Sequence, residues 1–207
     1  HVVRGQHCTC GRATRPGHQT CARIRNGCRF KTCIRNGLTH GDVGIGGAGS
    51  HETQGAFIDV LCNVAGMGGM KHTTEVGEDE WHRVFGVNLD GPFFLSQAMV
   101  PAMREKGWGR IINFASLQTT RAFPGGIAYG ATKAGIAQLT RAMAEAWSRY
   151  GITANAIGPG FFPTELTGPV FADPDRAARN AAQTCIGRNG EMADLDGPLL
   201  FLSSQAS

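Results

Sequence analysis

The pattern of apolar and polar positions changes character near residue 55. Before it, Val2, Val3, Ile24, Phe30, Ile34 and Leu38 stand isolated among Arg, Cys, Gly, Thr and His, with no sustained period of 3.6 or 2. That stretch predicts no packed element. From Ala56 the run Phe57-Ile58-Asp59-Val60-Leu61-Cys62 predicts a short buried strand that ends on Asn63-Val64-Ala65-Gly66. Glu78-Asp79-Glu80 then puts negative charge in the first turn of a helix running to about Val87, where it faces the positive end of the helix dipole. A second helix is predicted from Phe93 to Lys106. The turn Gly107-Trp108-Gly109 leads into a strand, Arg110 to Ala115, with Ser116 at its carboxyl end.

Tyr129 to Tyr150 reads as a long amphipathic helix with Ala134, Ile136, Leu139 and Met143 as its buried stripe. Gly151 ends it. A third strand, Ile152 to Ile157, closes on Gly158-Pro159-Gly160, and residues 173–183 and 191–202 have helical pattern. Strands alternating with helices predict an α/β fold built on a doubly wound parallel sheet. Residues 55–207 form the recognisable unit, and residues 1–54 are left unassigned.

Composition sharpens that division. The chain has 207 residues, 42% apolar and 17% charged, as an ordinary globular domain would. The formal charge of +4 hides an asymmetry, because residues 1–54 carry eight Lys or Arg against only Asp42 and Glu52. Five of the seven cysteines, Cys8, Cys10, Cys21, Cys28 and Cys33, also fall there. Their odd total and irregular spacing fit neither a disulfide framework nor a tetrahedral zinc site, so no metal is expected. Nucleic-acid binding is not expected either, since aromatic side chains that would stack on bases are nearly absent from the basic stretch. No apolar run reaches the length of a membrane span and no signal peptide is recognisable, which predicts a cytoplasmic protein.

The chemistry concentrates at the predicted carboxyl ends of the strands, where parallel α/β sheets bind ligands. Tyr129 and Lys133 lie four residues apart on one helix and so share a face. Taken singly, they read as an exposed helix pair and Ser116 as a strand-end hydroxyl. Taken together they are complementary: an ammonium near a phenol favours the phenolate, and Ser116 can hydrogen-bond a substrate oxygen while Tyr129 moves a proton.

Asn63-Val64-Ala65-Gly66, Asn88 in Val87-Asn88-Leu89, Ser116, Tyr129-Gly130-Ala131-Thr132-Lys133 and Pro159-Gly160 resemble, in order, the motifs of the short-chain dehydrogenase/reductase family. Ser116 and Tyr129 stand thirteen positions apart, which strengthens the match. The resemblance implies a Rossmann-type domain that binds NAD or NADP and interconverts a hydroxyl and a keto group on a small molecule. By the same resemblance Tyr129 is the general acid/base, Lys133 lowers its pKa and binds the nicotinamide ribose, Ser116 positions the substrate, and Asn88 holds a relay water. Asn63, Ala65, Gly66, Pro159, Gly160 and Thr164 would border the cofactor, and paired long helices would make a homodimer or homotetramer. Val64 departs from the second Asn usual in the family. The segment Asn155 to Thr167 is similar to polyol and sugar-acid dehydrogenases of the gluconate 5-dehydrogenase type, with 3-oxoacyl-[acyl-carrier-protein] reductases sharing most motifs. A remnant unable to hold a dinucleotide, acting only in assembly, is the alternative of another class.

The resemblance also implies an opening βαβ region with a Gly-rich phosphate turn, and a final strand, neither of which is legible. Gly44-Ile45-Gly46-Gly47-Ala48-Gly49 fits G-x-G-x-x-G, yet no apolar strand precedes it and only sixteen residues separate Gly46 from Asn63. It is read as a flexible glycine loop, and residues 1–54 as an out-of-frame or otherwise corrupted counterpart of the family's opening unit.

Overall fold

The computed structural model describes residues 58–68 and 71–207. The expectations for residues 1–54, the glycine loop at 44–49 and the start of the first predicted strand at Phe57 lie outside the described residues. Three parallel strands, β1 (Val60–Asn63), β2 (Gly109–Phe114) and β3 (Ile152–Ile157), pair in the order β1-β2-β3. Val60 sits opposite Arg110, and Gly109 opposite Ile152.

Side chains alternate across this sheet with the period of two that a pleated strand imposes. Leu61, Ile111, Ile152 and Ala154 face one way and pack with Met103 and Met143 from the helices α2 (Gly91–Lys106) and α3 (Ile127–Trp147). Val60, Cys62 and Ile112 face the other way, toward Trp108, Leu199 and Leu202, the last two from α6 (Asp196–Leu202). Helices therefore cover both faces, the α/β arrangement expected of a Rossmann-like sheet. Ile111, Ile112 and Ile152 are fully buried, each contributing about 1.5–3 kcal/mol of apolar transfer. Gly151, at φ +74°, caps the 3-10 turn Ser148–Tyr150 that follows α3 and returns the chain to the sheet; a side chain there would collide with the Gly107 carbonyl oxygen.

Two predicted elements differ from the outcome. The break expected between the first two helices is absent: α1 (Glu78–Phe85) runs through a π-helical turn, Gly86–Asp90, straight into α2. Pro92 follows the π-helical turn, where the Gly91 N–H reaches back to the Gly86 carbonyl and the hydrogen-bond ladder shifts register, and the run continues past it. The segment 191–202 begins as a 3-10 turn, Met192–Leu195, before α6. Two shorter helices, α4 (Gly168–Phe171) and α5 (Pro174–Ala182), follow β3, and Asp173 caps α5 by accepting from the Arg176 N–H at 3.0 Å.

The buried stripe of α3 also differs from expectation. Ile136 and Met143 are buried and Leu139 packs against the core, whereas Ala134 is exposed and Thr132, Lys133 and Thr140 are buried in its place. Each of these polar groups has a partner. Thr140 Oγ1 accepts from Asn113 Nδ2 at 2.9 Å, Thr132 Oγ1 accepts from Asn88 Nδ2 at 3.1 Å, and Lys133 Nζ donates to the Phe114 carbonyl at 2.6 Å.

Candidate active site

The parallel register brings the carboxyl ends of β1, β2 and β3 to one edge, and the segments leaving them form the site. The turn after β2 is tied to the segment after β3, since the Ala115 N–H donates to the Ile157 carbonyl at 2.8 Å and the Leu117 N–H to the Pro159 carbonyl at 3.3 Å. Ser116 caps a 3-10 turn there, its Oγ accepting from the Gln118 N–H at 3.2 Å. Thr119 Oγ1 accepts from the Ser116 N–H and donates to the Lys133 carbonyl, both at 3.3 Å. One threonine thus ties the Ser116 turn to α3.

On α3, Lys133 Nζ lies 5.5 Å from the centre of the Tyr129 ring. Burial holds the Lys133 ammonium down at about 8. Burial pushes the Tyr129 phenol above its ordinary range, while a side-chain hydrogen bond with Ser116 pulls in the opposite direction. The sequence expectation was a Tyr129 pKa lowered by Lys133; here desolvation outweighs every other influence on the phenol. Ser116, Tyr129 and Lys133 are nonetheless brought together as the spacing predicts.

Asn88 is 1% exposed within the π-helical turn, a helical irregularity often found at functional sites. Its Oδ1 accepts from the Met67 N–H at 2.8 Å, and its Nδ2 donates to the Met67 carbonyl at 2.9 Å and to Thr132 Oγ1. Asn88 therefore joins the turn after β1 to α3, one residue from Lys133. Gly66 in that turn runs close beside both residues: a Cβ there would be in ordinary contact, 3.5 Å from Lys133 Nζ and 3.6 Å from Asn88 Oδ1. At Gly68 a Cβ would lie 3.4 Å from Leu166 and 3.9 Å from the Tyr129 ring. Bare backbone thus passes close to both α3 residues.

The remaining predicted residues are distributed more widely. The Asn63 side chain is buried and engaged internally, donating to Asn113 Oδ1 at 2.8 Å and to Ser96 Oγ at 3.2 Å. Ala65 and Gly66 continue from it into the turn. Pro159 and Gly160 border Leu117, and exposed Thr164 shares a 2.9 Å hydrogen bond with Thr167 Oγ1. Sequence reasoning missed Thr119 and Thr132, for which hydrophobic periodicity carries no signal. An open cleft of about 530 Å³ touches Ser116 but runs beside α3 and the edge of β3 through Thr140, Arg141 and Asn155, away from Tyr129 and Lys133. Neither Tyr129 nor Lys133 lines it, so it is not the centre of this constellation. Among the described residues, no cluster of His, Cys, Asp or Glu is placed to hold a metal, and no helix is long and apolar enough to cross a membrane.

A family profile described as enoyl-(acyl carrier protein) reductase matches residues 49–207. The chain belongs to the short-chain dehydrogenase/reductase family. Its relatives include the gluconate 5-dehydrogenase of Gluconobacter oxydans (strain 621H), 35% identical over 170 residues that cover 82% of this chain and 66% of the relative. Among solved structures, a gluconate 5-dehydrogenase from Burkholderia cenocepacia J2315 in complex with NADP and tartrate has TM-score 0.73 and 38% identity, covering 75% of this chain and 61% of that one. A 4-hydroxyisoleucine dehydrogenase complexed with NADH has TM-score 0.68 and 30% identity, covering 72% and 61%. The chain spans under two thirds of the length of each of these proteins.

Proposed function

We propose that this short-chain dehydrogenase/reductase interconverts a secondary alcohol and a ketone by hydride transfer with NAD or NADP, on a polyol or sugar acid. The observation that carries the reading is the Ser116–Tyr129–Lys133 constellation, with Ser116 near enough to the phenol to draw its pKa down and a buried amine 5.5 Å from the centre of the phenol ring on the same helix. The sugar-acid preference rests on the gluconate dehydrogenases among its relatives.

Bound nicotinamide supplies the hydride acceptor or donor, and the residues present fit it: Gly66 and Gly68 bring backbone without side chains past Lys133 and Tyr129. Ala65, Gly66, Pro159, Gly160 and Thr164 would border it, with Asn63 holding the base of the turn through its bonds to Asn113 and Ser96. Ser116 Oγ orients the substrate oxygen. Tyr129 takes the hydroxyl proton as the carbinol is oxidised and returns it on reduction. Lys133 would keep positive charge beside the phenol and bind the ribose, and Asn88 would hold a relay water. The working form is a cytoplasmic homodimer or homotetramer, which light scattering measures.

Titration of the purified protein with NADH or NADPH, followed by fluorescence, tests the reading together with turnover of gluconate or a keto-sugar acid. Enhanced fluorescence and turnover are expected. Absence of both at high cofactor concentration would favour the cofactor-incompetent remnant. One second reading is a 3-oxoacyl-[acyl-carrier-protein] reductase, favoured by a solved protein of that description that is 25% identical to this chain with TM-score 0.68; turnover of a 3-oxoacyl thioester in place of sugar acids would select it.

A further inference from the structure

We propose that Arg121 reads the carboxylate of the substrate, making this site one for sugar acids in preference to neutral polyols. The inference rests on the assignment of Ser116 and Tyr129 as the pair that holds the reacting oxygen. If that oxygen sits between them, the rest of a small substrate extends along the loop joining β2 to α3 and the segment after β3. Arg121 stands where these two meet. Its N–H donates to the Leu117 carbonyl at 3.1 Å, folding residues 117–121 back onto the Ser116 turn. Its guanidinium lies 5.5 Å from the centre of the Phe123 ring. Phe123 in turn meets Phe161 edge-on, with ring centres 6.1 Å apart and planes at 87°, and Phe161 directly follows Pro159-Gly160. An aromatic bridge therefore spans the two loops, with a cation resting on it.

Arg121 joins a free guanidinium to a place beside the Ser116 turn, while several basic groups elsewhere are already engaged. Lys71, Lys106 and Arg188 are ion-paired, and Arg110 donates to the backbone carbonyls of Gly109, Ser204 and Ser207. Arg121 is exposed and makes no ion pair or guanidinium hydrogen bond among the described residues. Its donors are open while the ring beneath restricts the side chain, so less freedom is lost when an anion binds. A guanidinium presents a planar fork that matches a carboxylate through two parallel hydrogen bonds. A polyol hydroxyl at the same place satisfies the geometry in part and the charge not at all.

Calorimetric titration with D-gluconate and with D-glucitol, with and without NADP, tests this on the intact chain. The wild type is expected to prefer gluconate. Arg121→Ala should reduce that preference by about tenfold or more, the scale of a lost charge-assisted hydrogen bond, and Arg121→Lys should recover part of it. A gluconate-to-glucitol ratio unchanged in Arg121→Ala, or no gluconate binding by the wild type, overturns the proposal. Tyr129→Phe keeps the two readings apart: Arg121-dependent gluconate binding with no turnover in either wild type or Tyr129→Phe would sink the reaction and leave the carboxylate site standing.

Discussion

Lys133 reaches from the middle of α3 to the end of β2, where its Nζ donates to the Phe114 carbonyl at 2.6 Å, and burial there holds its pKa at about 8 against an ordinary 10.5. A neutral carbonyl does not replace the water this ammonium has lost, so its charged form is costly in the folded state. The unfolded chain binds the proton more tightly, and below about pH 8 the difference opposes folding in full. It is relieved as pH rises from about 8 to 10.5. Lys133→Met should consequently be more stable than wild type at pH 7, by on the order of 1–3 kcal/mol, while losing turnover. Urea unfolding of both proteins at pH 7 and pH 10 checks this, and the gap should narrow at the higher pH.

The same residue sets a pH dependence on catalysis. In the direction of ketone reduction Tyr129 must carry its proton and Lys133 its charge. Burial raises the phenol pKa, so Tyr129 stays protonated through the neutral range, whereas Lys133 loses its proton near 8. We expect kcat/KM for reduction to be level below about pH 8 and to fall above it. A profile of kcat/KM from pH 6 to 10 measures the inflection, and a level profile to pH 10 would exclude Lys133 as the controlling group.

Gln118 fills the space beside the first turn of α3. A Cβ on Gly126 would overlap Gln118 Oε1 and stand 3.1 Å from its Cδ, and one on Gly130 would stand 3.4 Å from Oε1. The backbone of Gly126, at φ −103°, tolerates alanine, so the conflict lies between side chains alone. Gly126→Ala should cost roughly 1–3 kcal/mol through overpacking, and adding Gln118→Ala should relieve most of it. A double-mutant cycle by urea unfolding reads the coupling, and additive effects would show that the two positions do not meet.

Thr132 accepts from Asn88 and donates to the Tyr129 carbonyl at 2.8 Å, linking the turn after β1 to the helix that carries the phenol. Thr132→Val keeps the shape and removes both bonds. The loss should be about 1–3 kcal/mol, because a buried Asn88 donor is left without this acceptor. Turnover should fall with it, measured as kcat under saturating substrate.

The strands were legible because their apolar runs are bounded by glycine turns: Ile152–Ile157 matches the predicted span, and Gly109–Phe114 differs by one residue at each end. Tyr129 and Lys133 were legible because a helix forces residues four apart onto one face, and Ser116 because it follows a strand whose carboxyl end opens on the ligand crevice. The stripe of α3 was misread at Ala134 because hydrophobicity cannot register a buried face made of Thr132, Lys133 and Thr140, each satisfied by a partner distant in sequence. The π-helical turn at Gly86–Asp90 was likewise hidden, since Gly86 and the Asp90-Gly91-Pro92 triplet read locally as a break. Arg121 and Phe123 gave no signal at all: their place depends on contact with Phe161, forty residues away from Arg121.

The account turns on whether the Tyr129 phenol carries the proton that accompanies hydride transfer. Steady-state turnover of Tyr129→Phe, compared with wild type at equal cofactor saturation and with the fold verified by circular dichroism, tests it most directly. A loss of roughly 10²–10⁴-fold in kcat with cofactor binding retained is predicted, and wild-type turnover in the folded variant would contradict it.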